Sequence, residues 1–217
     1  MTTFPGSPKL LKGGLVLVQP DSGVVQRIIV LQYNPETLSR TLQPQTVTES
    51  NDHSQALRLV GPPQESYKIE ATIDAADQME FPDENQTVRE NGILPQLAVL
   101  ETILYPASGR LISNNALAGS GTLEIIPAES ALTLFVWSKN RVVPVRLTEF
   151  SVTEEAFDPN LNPLRAKVNL GMRVLNVNDL GFDHRGGNLY LAYQQRLEQL
   201  ATLSKSGVFS QLGITGI

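Results

Sequence analysis

Apolar and polar residues alternate most cleanly between Tyr67 and Asp74. Tyr67, Ile69, Ala71 and Ile73 fall on one face and Lys68, Glu70, Thr72 and Asp74 on the other. A period of two over that length predicts a strand buried on one side. The pattern returns between Ala166 and Leu175, with Ala166, Val168, Leu170, Met172 and Val174 facing one way and Lys167, Asn169, Gly171 and Arg173 the other. Val142–Thr153 is long enough to be its antiparallel partner across the turn-rich segment Asp158-Pro159-Asn160-Leu161-Asn162-Pro163. Thr122–Ile126 and Leu132–Trp137 predict two further strands, the second ending at the polar turn Ser138-Lys139-Asn140-Arg141.

In the first half, Leu15–Val18 and Gln26–Tyr33 flank Pro20-Asp21-Ser22-Gly23 and read as a hairpin. Asn34-Pro35 closes its second strand, because the residue before proline is pushed out of the helical region. Leu57–Val60 predicts a short strand stopped by Gly61-Pro62-Pro63. Asp77–Asn91 reads as an acidic loop and Gly109–Gly121 as a small-residue loop. Between them Ile93, Leu97, Leu100 and Leu104 make a helical stripe over 93–105, with Pro95 in the first turn and Pro106 beyond the end. A second helix is expected from Asn188 to Ser204, with Leu189, Tyr193, Leu197, Leu200 and Leu203 on its stripe and Gly207 as its cap. No repeat at 20–50 residues is visible, which disfavours solenoids and propellers. The expected organisation is a flexible lead over 1–12, a mainly β domain (α+β) over 13–183, and a C-terminal helix and tail over 184–217.

The chain has 217 residues, 41% of them hydrophobic and only 18% charged. The apolar fraction supports a real core, and the low charge leaves much neutral surface for partners to cover. The formal net charge is −5. No basic stripe exists to clamp a phosphate backbone, so no nucleic acid partner is expected. With no cysteine, thiolate metal sites and a cysteine nucleophile are excluded, and two histidines, His53 and His184, are too few for a histidine cage. No signal-type arrangement and no apolar run of about 18 residues occurs, so synthesis in the cytoplasm without membrane insertion is expected.

Motifs of catalysis are missing. There is no phosphate-binding glycine loop and no H-E-x-x-H. Ser120 has glycines beside it at 119 and 121, whereas a nucleophile elbow needs them two residues away. Asp74, Asp77, Glu80, Asp83 and Glu84 lack the spacing of a calcium loop. Glu154 and Glu155 are adjacent on a strand and point to opposite faces. Asp183-His184 is the most reactive-looking spot, yet it reads better as the opening of a helix. Trp137 beside Phe135 could form a sugar platform, and a core or interface anchor is favoured over it. No catalytic residue, cofactor or metal is expected.

Several segments in order carry a resemblance. They are Gln32-Tyr33-Asn34-Pro35-Glu36-Thr37-Leu38-Ser39-Arg40, Leu57-Arg58-Leu59-Val60-Gly61-Pro62-Pro63-Gln64-Glu65 and Asp74-Ala75-Ala76-Asp77-Gln78-Met79-Glu80-Phe81-Pro82. Pro95–Glu101, Leu134–Trp137, Arg141–Arg146 and Thr153–Pro163 complete the set. Together they resemble the tube-initiator, or baseplate tube-adaptor, protein of phage-tail-like contractile injection systems of the antifeeding-prophage type. The resemblance runs from about residue 10 to 195. It implies a tail-tube-like β-barrel or sandwich with a packed helix and a C-terminal helix. It also implies a structural baseplate component, a hexameric ring joining the spike hub to the inner tube inside a contractile particle. Many members add a C-terminal LysM module; none is recognisable after Ser204, so no cell-wall or baseplate contact through such a module is expected.

The implied partners are five further copies of the chain, the inner tube protein, the spike hub and other baseplate proteins. Strand edges must be paired or covered, and hairpins joined around a closed ring would do so. Val142–Thr153 with Ala166–Leu175 is expected as one such hairpin, and Gln26–Arg40 with Ala56–Asp74 as the other. Val143, Val145, Leu147, Val168, Leu170, Met172, Tyr67, Ile69 and Ile73 are the candidate inter-subunit positions. Lys167, Asn169 and Arg173 are the candidates for a lumen. The rivals are the inner tube subunit itself and a carbohydrate- or protein-binding β module.

Overall fold

The computed structural model describes residues 10–46, 58–119 and 130–216. Seven strands form one antiparallel sheet: β1 Gly14–Val18, β2 Val25–Val30, β3 Leu38–Thr46, β4 Leu59–Asp74, β5 Leu132–Ser138, β6 Arg141–Phe157 and β7 Pro163–Val174. Their order across the sheet is β2-β1-β5-β6-β7-β4-β3. The helices are α1 Ala76–Met79, α2 Gln86–Asn91, α3 Leu94–Glu101, α4 Ser108–Gly119, α5 Val177–Leu180 and α6 Arg185–Thr202. The mainly β class with packed helices is therefore as the residue pattern predicts.

The sheet curls strongly without its edges pairing. Tyr67 on β4 and Phe135 on β5 stand three strands apart, yet their ring centroids are 5.4 Å from each other. A flat sheet would separate those strands by about 14 Å. Gln32 fastens the curl. Its side-chain amide bonds both backbone groups of Asp74 at the end of β4, at 2.7 and 2.9 Å, while Lys12 before β1 donates to its carbonyl at 2.8 Å. Asn34 accepts from the Gly13 amide and donates to the Leu11 carbonyl. The polar residues of the Gln32–Pro35 segment thus act as staples where the chain crosses from β2 on one edge to β3 on the other.

The concave face holds the core. Tyr67, Ile69, Ala71 and Ile73 of β4, with Ala166, Val168, Leu170, Met172 and Val174 of β7, are buried there beside Phe135, Val143 and Val145. Ile93, Leu97 and Leu100 pack onto the same cluster. Gly92, just ahead of α3, adopts φ +56°, and a Cβ on it would fall 2.2 Å from the Pro163 carbonyl oxygen. Gly187 lets α6 approach α5, since a Cβ there would fall 2.0 Å from the Gly181 carbonyl oxygen. A smaller cluster gathers Val18, Leu132 and Leu134 under Leu180 and Leu189.

Several expectations are corrected. Leu59–Asp74 is one continuous strand, not two interrupted at Gly61-Pro62-Pro63. The prolines are tolerated because β7 reaches only Ser66, leaving that stretch on one partner, β3, with a register shift at Gln43/Gln45. The hairpin of Gln26–Arg40 with Ala56–Asp74 forms only through Leu38–Thr46; Val25–Val30 pairs with β1 at the opposite edge. The acidic loop over 77–91 contains α1 and α2, and the loop over 109–121 is largely α4. The helix expected over 93–105 spans Leu94–Glu101, and Leu104 lies exposed beyond it. On α6 the buried residues are Gly186, Gly187, Tyr190 and Tyr193, while Leu203 is exposed and the helix ends at Thr202, well before Gly207. Thr122–Ile126, Ala56 and Leu57 lie outside the described residues.

Candidate functional site: an open-edged polar face

Beyond Val145 the strand β6 loses β5 as a neighbour and continues to Phe157 paired with β7 alone. β3 is likewise the last strand on its side. The four-strand unit of distal β6, β7, β4 and β3 is therefore bounded, among the described residues, by two flanks without a strand partner. Such flanks present rows of backbone donors and acceptors to another chain. At the tip joining β6 to β7, Asp158 accepts from the amides of Asn160 and Asn162 at 2.7 and 2.8 Å. The Asn162 side chain returns a bond to Asp158 and reaches the Glu90 carbonyl. Those bonds, led by the Asn162 side chain, hold the Asp158 carboxyl below its usual range.

The convex face of this unit is polar from edge to edge. Register places Ser39, Lys68, Gly171 and Glu149 in one row, and Glu70, Asn169 and Ser151 in the next. Thr72, Lys167 and Thr153 follow, then Asp74, Arg165 and Glu155. Opposite charges meet between strands: Lys68–Glu149 at 2.8 Å, Arg165–Asp74 at 2.7 Å and Lys167–Glu155 at 3.6 Å. Arg173 pairs with Asp179 of α5. Asp74 is held below its ordinary range: partial burial opposes its charge, but the Ala76 amide and Arg165 outweigh it. The lumen candidates Lys167, Asn169 and Arg173 all lie on this face.

The candidate inter-subunit positions sit elsewhere. Val143, Val145, Val168, Leu170, Met172, Tyr67, Ile69 and Ile73 are buried in the concave core of their own chain, with Leu147 half-buried against it. Their strands therefore have backbone flanks, not these side chains, to offer a neighbour.

One polar constellation escaped the sequence reading. Glu65, 3% exposed, stands on the apolar face of β4 in phase with Tyr67. Its Oε1 accepts from Arg40 Nε at 2.6 Å, from Tyr193 at 2.9 Å and from the Tyr67 hydroxyl. Arg40 Nη2 also donates to the Tyr193 oxygen at 2.8 Å. Burial, then the bond to Glu65, pushes the Tyr67 phenol far above its ordinary range, and burial raises Tyr190 and Tyr193 too. Burial works against the Arg40 charge, but Glu65 outweighs it and holds the guanidinium above its usual range. The cluster ties β3, β4 and α6 together. A carboxylate in phase with Tyr67, Ile69, Ala71 and Ile73 was its legible signal, since a buried charge must be partnered.

The remaining chemical candidates have structural partners. His184 caps α6, with its Nδ1 accepting from the Gly186 amide at 3.0 Å. Trp137 lies against Phe135, at 5.9 Å between rings, and over Gly13. Among the described residues no group of three or more His, Asp or Glu is placed to hold a metal ion, and no helix is long and apolar enough to cross a membrane.

No family model matches the chain, and no curated protein matches it. Among solved structures, a chain from the tail of an empty GTA particle, described with C6 symmetry, overlaps 75% of this chain and 90% of its own length. The identity is 13% and the TM-score 0.28. An overlap that loose carries no argument, so any functional reading stands on the chain's own sequence and geometry.

Proposed function

We propose that this chain is a structural subunit of a phage-tail-like contractile injection particle. In this reading six copies form the ring that starts the inner tube and joins it to the spike hub. The observation that carries the reading is the four-strand unit whose two unpartnered flanks bound one continuous polar face. Joined flank to flank around a ring, distal β6 of one copy completes β3 of the next, and no backbone edge of the unit is left open. The polar face then lines the lumen with Lys167, Asn169 and Arg173 upon it, and the apolar face stays on each copy's own core. No bond chemistry is involved; the ring sets radius and six-fold order for the tube rings that follow.

Because the sequence lacks cysteine, an engineered pair reports the contact directly. Thr41 of β3 and Ser151 of β6 both face the polar side. Oxidised Thr41→Cys/Ser151→Cys protein should give a ladder of covalent multimers ending at six, and electron microscopy of the particles should place one such ring beneath the tube. Monomers alone after oxidation, with Ser151→Cys paired to Ser39→Cys or Gln43→Cys and Thr41→Cys paired to Thr153→Cys equally silent, would overturn the reading. Many stacked copies per particle would make the chain the tube subunit instead.

A further inference from the structure

Among the described residues the sheet has another flank without a strand partner, on β2, and its surroundings are apolar. Register aligns Leu134, Val16 and Ile28 across β5, β1 and β2, and Val136, Gly14 and Val30 beside them. These rows extend the smaller cluster beneath Leu180 and Leu189. Burial fades along the first row: Leu134 is 9% exposed, Val16 is half-buried and Ile28 is 64% exposed. Val30 and Val25 stand in solvent too. An apolar layer that stops at an unpaired strand flank is unfinished, and flanks of this kind accept an added strand.

The chain also carries a segment that suits the vacancy. Beyond α6, Val208, Phe209, Leu212 and Ile214 are all exposed, with Leu212 at 74%. No charged residue occurs from Ser206 to Ile217, and Arg27 is the one charge within Val25–Val30. Phe209–Leu212 forms a single 3-10 turn in this chain; drawn out on a partner strand, Val208, Ser210, Leu212 and Ile214 share a face. Leu212 and Ile214 then repeat the two-residue spacing of Ile28 and Val30.

The chain's own segment does not occupy this flank, since β1 is the only described strand partner of β2. Geometry also carries it away. Arg185 at the start of α6 lies against Gly23 in the β1–β2 turn, and Arg196 bonds Asn140 at 3.0 Å in the β5–β6 turn. An 18-residue helix is about 27 Å long, so the segment starts that far from the β1–β2 turn.

We infer that the Val208–Ile214 segment of one copy adds as a strand to β2 of a second copy, continuing the Leu134–Val16–Ile28 layer. The contact uses neither β3 nor distal β6, so it stands or falls separately from the ring.

Copies bearing only Ile28→Cys, mixed with copies bearing only Leu212→Cys and oxidised, should form a mixed disulfide dimer in excess over either like pair, resolved by mass spectrometry. Ser210→Cys and Ile214→Cys cover a register shifted by two. Adding Leu212→Pro to the Ile214→Cys copies should cut the mixed dimer at least tenfold, because proline removes a backbone donor from the added strand. The inference is overturned by three results: no mixed dimer at any of the three positions, an unchanged yield with the proline, or an Ile28→Cys/Leu212→Cys chain that closes on itself in dilute solution.

Discussion

Arg40–Glu65 and Lys68–Glu149 are ion pairs of nearly equal length, 2.6 and 2.8 Å, anchored on opposite faces of β4. Their surroundings differ completely. Glu65 is buried and shares one oxygen among three donors from β3, β4 and α6. The Lys68 and Glu149 side chains are 70% and 53% exposed and bond each other. Distance alone therefore ranks neither pair. Water screens the outer charges to almost nothing, whereas the inner carboxylate has surrendered its hydration and depends on all its donors.

The largest break in this comparison is Glu65→Leu. It leaves the partly buried Arg40 charge without its counter-ion and takes the shared acceptor from two phenol hydroxyls, and should cost about 3–5 kcal/mol in chemical denaturation. A loss below 1 kcal/mol would mean that water reaches the cluster. Next comes alkaline pH. The tyrosines of the cluster titrate above their unfolded range, so their contribution is complete below about pH 10. It is lost as pH rises further, because the unfolded chain then ionises first. Stability should fall by roughly 1.4 kcal/mol per pH unit for each tyrosine held protonated. Urea titrations from pH 8 to 11 check this, and Tyr67→Phe should make the decline shallower.

Tyr193→Phe keeps the ring in the core and removes one hydroxyl, for an expected loss of about 1 kcal/mol. Hydrogen exchange should show that loss in α6 and β3 before the centre of the sheet. The smallest effect belongs to the outer face. Glu149→Gln should change stability by no more than about 0.5 kcal/mol, and 1 M salt should erase the difference. If Glu149→Gln cost as much as Glu65→Leu in the isolated chain, the polar face would not be an open, solvated surface.

Local pattern foretold much of the sheet. The alternation in Tyr67–Asp74 and Ala166–Leu175 set which side of each strand would be buried, because a strand's side chains have no other way to sort between core and water. The turn at Asp158–Pro163 and the β1–β2 hairpin were legible for the same local reason. Failures came where a partner from elsewhere overrode local preference. Gly61-Pro62-Pro63 remains in a strand because only one neighbour asks for its backbone. Short helices in 76–91 and 108–119 had no stripe long enough to announce them.

The candidate site divides along the same line. Lys167, Asn169 and Arg173 could be assigned to a polar face from spacing alone, and Glu65 could have been flagged as a charge among apolar neighbours. That Glu65 meets Arg40 and Tyr193, 25 and 128 residues away, could not be read, since no periodicity encodes distant encounters. The order of the strands, and hence which flanks are left open, likewise belongs to the tertiary structure. Alternation determines how each strand presents its faces; only long-range hydrogen bonding and the curl of the sheet decide which edges remain for another chain.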